Sequence, residues 1–142
     1  MKKTKIVNGK IRGVMVIVLD RSNNLLLLQR KDNKKWEPIK GGVWEGENDK
    51  EAAVREVKEE TGLNVKLKRK IGDNVNDEII KPNGRKIKIK GVIWIGKVAE
   101  QTPSVTLNKA EHLNYKWVPL DLAEKIKDLH PPVFCSMIIR SF

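Results

Sequence analysis

The 142-residue sequence has almost no sulfur chemistry: its one cysteine, Cys135, has no partner for an internal disulfide and sits among apolar neighbours. It therefore reads as a buried thiol in a reducing compartment rather than as a nucleophile. Long hydrophobic runs are missing too. The longest strongly apolar stretch, Val14 to Leu19, ends at Asp20 and falls far short of the roughly 20 residues that span a bilayer, so no membrane partner is expected. Met1-Lys2-Lys3 has the charge of a leader peptide's start, but Asn8, Lys10 and Arg12 interrupt the apolar stretch after it and no small-residue cleavage site appears. A first β-strand and a cytoplasmic protein are expected instead. There is no internal repeat and no low-complexity segment. With 39% hydrophobic and 33% charged residues, the chain is expected to form one globular domain over residues 1–142.

What is abundant is positive charge, and it is segregated. The net charge is +11, yet residues 41–63 hold seven acidic and three basic residues, which is −4, leaving +15 on the rest. A carboxylate cluster inside a basic protein suits a polyanionic substrate, with cations attracting phosphates and the acidic patch collecting metal. Solvated surface lysines account for the excess equally well.

Residues 11–19 and 25–29 are β-branched or leucine-rich runs separated by Asp20-Arg21-Ser22-Asn23-Asn24, which predicts a hairpin of buried strands. A helix is expected from Asn48 or Asp49, with Asn48 and Glu51 as a capping box and Gly62 as its left-handed stop. Ala53, Val54 and Val57 would be its apolar face. Val65 to Lys68 and Lys86 to Ile89 alternate apolar and basic residues around a Pro82-Asn83-Gly84-Arg85 turn, and Gly91 to Ile95 continues as a buried strand. Tyr115 to Val118 reads as a strand, Pro119 to Ile126 as the start of a helix, and residues 132–142 as a short closing helix.

The predicted central helix carries Glu56, Glu59 and Glu60 at i, i+3 and i+4, on one strip of its surface. Three such carboxylates repel one another unless a hard divalent cation neutralises them, and oxygen-only ligands favour Mg2+ or Mn2+ over zinc. The strip is not isolated. From Gly41 the residues satisfy G-x5-E-x7-R-E-U-x-E-E-x-G-U, with U aliphatic, at Gly41, Glu47, Arg55, Glu56, Val57, Glu59, Glu60, Gly62 and Leu63.

This 23-residue pattern resembles the Nudix box of the MutT-like hydrolases. The resemblance implies an α/β/α sandwich with a mixed β-sheet, and hydrolysis of a diphosphate linkage in a nucleoside diphosphate-X substrate by water. It implies that Glu56, Glu59 and Glu60 bind Mg2+ or Mn2+, and that one of them, or a carboxylate from a later loop, is the base. Glu111 is the candidate for that later carboxylate, since Glu111-His112-Leu113-Asn114-Tyr115-Lys116-Trp117 has the form of the family's glutamate before a tryptophan-bearing strand. His112 reads as structural or substrate-contacting. Arg55, placed on the far side of the helix from Glu56, is expected to pair with Glu47 and pin the glycine loop, both acting as support together with Gly62, and Glu47 also reads as an auxiliary metal residue. Gly41 allows close approach to phosphates; Lys40 either holds a phosphate or is an exposed loop lysine. Trp44 stands where relatives carry a glutamate, which puts the local loop shape in question.

Trp36 and Trp44, in loops beside the box, are the candidates for stacking on a base; Trp94 and Trp117 read as packed. Arg30, Lys31 and Lys90 are candidates for phosphate contacts at the cleft edge. Trp-x-x-x-Lys-Gly before the box is similar to the branch with dinucleoside polyphosphate hydrolases and some nucleoside triphosphate pyrophosphatases. Two alternatives stay open: an RNA 5′-end pyrophosphohydrolase guided by the basic strands, and a non-catalytic nucleotide- or nucleic-acid-binding module on the same fold. A monomer and a homodimer are both compatible with the sequence.

Overall fold

The computed structural model describes residues 3–80 and 82–125. Its spine is the apolar run. β2 (Lys10–Leu19) pairs in parallel with β7 (Lys86–Lys97) from Ile11↔Ile89 to Leu19↔Lys97. On its other edge it pairs antiparallel with β5 (Ile39–Gly42), from Gly13↔Gly42 to Val16↔Ile39, and with β1 (Ile6–Val7). Both faces are covered, which is why the run is continuously apolar rather than alternating. Val14, Val16 and Val18 pack into one core with the helix, while Met15, Ile17 and Leu19 pack into a second with Ile93, Ile95 and Ala123.

The expected hairpin of β2 with β3 (Asn24–Arg30) forms only at its base: Leu19↔Leu25 is its single register pair. The turn itself is firmly made. Buried Asp20 accepts from the backbone N–H groups of Ser22, Asn24 and Thr102 and from the Asn24 amide, and these bonds outweigh its burial and hold its carboxyl below the usual range. Beyond the turn the strands part because β5 takes the edge of β2. β3 pairs instead with β4 (Trp36–Glu37) and with β8 (His112–Pro119). The candidate site lies near this split.

β6 (Lys66–Ile80) and β7 form the predicted basic hairpin, with Gly84 at φ +82° in its turn, and the ladder runs longer than the alternating segments implied. α1 (Asp49–Thr61) starts and stops as expected. Asn48 Oδ1 accepts from Glu51 N at 2.8 Å, Glu51 Oε1 accepts from Asn48 N at 3.2 Å, and Gly62 at φ +75° donates to the Lys58 carbonyl. Its apolar face needs a correction: Val54 is 43% exposed, and Ala52 takes its place beside Ala53 and Val57 in the core. With so few apolar residues on the helix, the 3.6-residue period locates its buried face only to within one position.

Pro119 to Ile126 opens as a 3-10 helix, Leu120–Lys125. The closing helix expected over residues 132–142, and Cys135, lie outside the described residues. Among the described residues the architecture is therefore a mixed eight-stranded sheet with one α-helix on one face, an α/β fold. None of their helices is long and apolar enough to cross a membrane.

Candidate active site

The helix is docked over β5 by a close approach. Gly41 pairs with Val14 on the helix-facing side of the sheet, and a Cβ there would fall on the Glu56 carboxyl group. Glycine is required at this point by space, since its φ is ordinary.

Arg55 fixes the same junction. Its Nε and Nη2 donate to the two oxygens of Glu47 at 2.8 and 3.0 Å, and Nη2 also donates to the Gly42 carbonyl at 2.7 Å. Nη1 donates to Glu56 at 2.9 Å and to Glu59 at 3.1 Å, which corrects the expectation that Arg55 turns away from Glu56. Adjacent helical positions are only about 100° apart, and the long guanidinium bridges that angle. Burial opposes its charge, but the bonds it donates to Glu47 and Glu56 prevail and hold it above the ordinary arginine value. The guanidinium also lies 3.4 Å from the ring centre of Trp44.

The glutamates of the strip are not equivalent. Glu59 is exposed and tied to Arg55. Glu56 is buried; burial raises its carboxyl above the usual range, with the charges of Glu59 and Glu111 adding and Arg55 opposing. Glu60 is buried too and is pushed up to about 9, first by burial and then by the charges of Glu56, Glu111 and Glu37. Ligand atoms of Glu60, Glu111 and His112 lie within 4.8 Å of one another. Glu60 Oε2 is buried and has no hydrogen-bond partner among the described residues.

These observations fit a divalent cation. Clustered carboxylates strain against one another, and a buried oxygen is left with an unused lone pair. Glu111 is brought to this point by its backbone: Lys31 N donates to the Glu111 carbonyl at 3.0 Å, while Glu111 N and His112 N both donate to the Asn108 carbonyl.

A cleft of about 750 Å³ opens in front of the cluster. Glu60, Glu111 and His112 line it, together with Arg30, Lys31 and Lys40, which bring positive charge. Lys90, expected at the edge, is paired in register with Arg12 and Asn76 and does not line the cleft. A smaller cavity of about 360 Å³, with Ile11, Met15, Ile89 and Ile93 in its walls and Gly13, Gly42 and Gly91 among them, shares Lys40 and Asp77 with the cleft.

Neither Trp36 nor Trp44 lines the cleft, and each ring carries a cation, Lys116 at 4.1 Å from Trp36 and Arg55 on Trp44. Trp94 is buried and Trp117 packs against the core, its Nε1 donating to the Pro103 carbonyl.

Two features escaped sequence reasoning. The first is Glu37, a buried carboxylate bonded to His112 at 2.9 Å and ion-paired with Arg30 and Lys40 at 3.2 Å each. Burial resists its ionisation, yet His112, Lys40 and Arg30 together hold its carboxyl below the usual range. Its position between Trp36 and Pro38, just before the glycine pair, was the only signal in the sequence. The second is the share that Asp77, Glu78 and the exposed Ile80 of β6 take in lining the cleft.

Fold and cluster together define a family. The NUDIX domain model matches residues 9–136, and the chain belongs to that family. It is 31% identical over 141 residues to an RNA pyrophosphohydrolase from Pelagibacter ubique, covering 87% of this chain and 84% of that protein. It is 35% identical over 114 residues to the asymmetrical bis(5′-nucleosyl)-tetraphosphatase of Mus musculus, covering 79% and 76%. The crystal structure of a MutT protein from Methanosarcina mazei superposes with a TM-score of 0.76 at 28% identity, covering 96% of this chain and 95% of that one.

Proposed function

We propose that this NUDIX hydrolase breaks a phosphoric anhydride bond in a nucleoside diphosphate-X substrate, such as a dinucleoside polyphosphate or a nucleoside triphosphate. Glu56, Glu59, Glu60 and Glu111 hold Mg2+ or Mn2+ in this reading. It is carried by one cleft being lined both by the carboxylates Glu60 and Glu111 and by the cations Arg30, Lys31 and Lys40. The class of reaction comes with the family.

Water attack on phosphorus demands neutralised phosphoryl oxygens and an aligned, deprotonated water. The divalent ion supplies the neutralisation when bound. Lys40, held by buried Glu37, meets the phosphates as a preplaced cation, and Arg30, bonded to Asp32 at 2.7 and 2.9 Å as well as to Glu37, adds positive charge to the cleft. One carboxylate of the set, Glu111 included, takes the proton of the water. Arg55 and Glu47 keep the Gly41 loop against the helix and act through position. The apolar cavity beside Lys40 accepts the nucleoside end.

Phosphate or pyrophosphate release, measured with Mg2+ across dinucleoside polyphosphates, nucleoside triphosphates and nucleotide sugars, tests this. Turnover of at least one class is expected, and none from any of them contradicts the assignment.

A second reading puts the 5′ end of RNA in the same cleft. It is supported by the relative from Pelagibacter ubique and by the lysines of the β6–β7 hairpin, among them Lys66, Lys68, Lys70, Lys86 and Lys88. Triphosphorylated RNA in the same screen separates the two, and polymer binding should weaken steeply with salt. A non-catalytic module would bind nucleotide without turnover.

A further inference from the structure

The cleft wall made by β4 and β8 holds a buried pair that the hydrolytic chemistry does not consume. Glu37 is 4% exposed and His112 3%, and the bond between Glu37 Oε2 and His112 Nε2 spans 75 residues of sequence. The other Glu37 oxygen is taken by Lys40 and Arg30, so this carboxylate is an acceptor on both sides. An acceptor facing Nε2 places the ring hydrogen there and leaves the lone pair of the neutral imidazole on Nδ1. That Nδ1 is buried and has no partner among the described residues. Glu60 Oε2 is in the same condition, and the ligand atoms of Glu60, Glu111 and His112 converge within 4.8 Å.

Ligand atoms of two carboxylates and an imidazole thus lie close together, and none of the three supplies a proton donor to the others once the acids are ionised. A cation satisfies all three. We propose that Glu60, Glu111 and His112 form a mixed oxygen–nitrogen site for a divalent transition ion, with Glu37 as the outer carboxylate that fixes the ring. A carboxylate that holds one imidazole nitrogen sets the tautomer and orientation of the other for ligation. The consequence is selectivity: an imidazole donor moves preference away from Mg2+ towards Mn2+, Co2+ and Ni2+, in rising order. This rests on the proposed role of the cleft as the metal-dependent hydrolytic site.

Mn2+ titrated into the full chain and followed by electron paramagnetic resonance, with echo modulation from directly bound nitrogen, tests the proposal without any turnover. The wild type is expected to show one coordinated imidazole nitrogen. His112→Gln should lose that signal and bind Mn2+ on the order of tenfold more weakly, and Glu37→Ala, which frees the ring, should weaken binding by about 10 to 100-fold. The chain has one other histidine, His130, and His130→Gln should keep the signal. Circular dichroism checks that each variant is folded. If His112→Gln fails to fold, the wild-type and His130→Gln spectra still decide. A wild type that binds Mn2+ with no nitrogen signal overturns this site and leaves the hydrolase reading standing; a wild type that binds no Mn2+ overturns both.

Discussion

The carboxyl group of Glu56 occupies the volume that a side chain at position 41 would need. The helix and β5 thus share one contact in which a missing methyl group is a structural part.

Gly41→Ala is therefore expected to push Glu56 out of place. The added methyl should destabilise the fold by about 1–3 kcal/mol, as overpacking does, and lower turnover at least tenfold. Urea denaturation and steady-state kinetics on the purified variant check both. Unchanged turnover would show that the position of Glu56 does not matter to the reaction.

Arg55→Lys keeps the charge but loses the planar fork that serves Glu47, Glu56, Glu59 and the Gly42 carbonyl together. The expected cost is about 2 kcal/mol, below the range for a fully buried pair because the site is partly open to water. Thermal or urea melts give the value, and a loss under about 0.5 kcal/mol would mean that the network adds little.

Glu111→Gln preserves shape and removes a charge beside Glu60. If Glu111 is a ligand or the base, kcat should fall by about a hundredfold, in line with general-base contributions. A change under threefold would return Glu111 to the role of a solvated loop residue.

The metal-free protein should carry a pH signature from Glu60. Its folded-state value is raised from 4.5 to about 9, so its contribution to stability is fully present below about pH 4.5 and is lost as pH rises through about 9. In chelator, the melting temperature should drop by several degrees between pH 7 and pH 9.5, a drop that Glu60→Gln largely abolishes. Mg2+ or Mn2+ should oppose the drop and bind more tightly at the higher pH, because binding displaces a proton. Identical pH profiles for wild type and Glu60→Gln would contradict the buried, proton-holding state of this residue.

The parts of the molecule that could be read from sequence are those set by neighbours in the chain. The capping box at Asn48 and Glu51, the stop at Gly62 and the strip of glutamates all depend on residues within one or two helical turns. What was hidden depends on distant partners. The parallel pairing of Val14 with Val92, the splaying of β3 from β2, and the bond of Glu37 to His112 join segments with no local pattern in common. Val54 and Ala52 exchanged roles because small apolar residues on adjacent helical positions give a weak periodic signal. Asp77, Glu78 and Ile80 reach the cleft only through the length and irregular register of β6, which alternating charge in a short window does not reveal.

Metal-dependent hydrolysis through Glu60 is decided by phosphate release from wild type and from Glu60→Gln, each with Mg2+ and with chelator, on a substrate found by the screen. Turnover is expected only for the wild type with metal, with at least a hundredfold loss in a folded Glu60→Gln variant. Near-normal rates in that variant, or equal rates without metal, would contradict that chemistry.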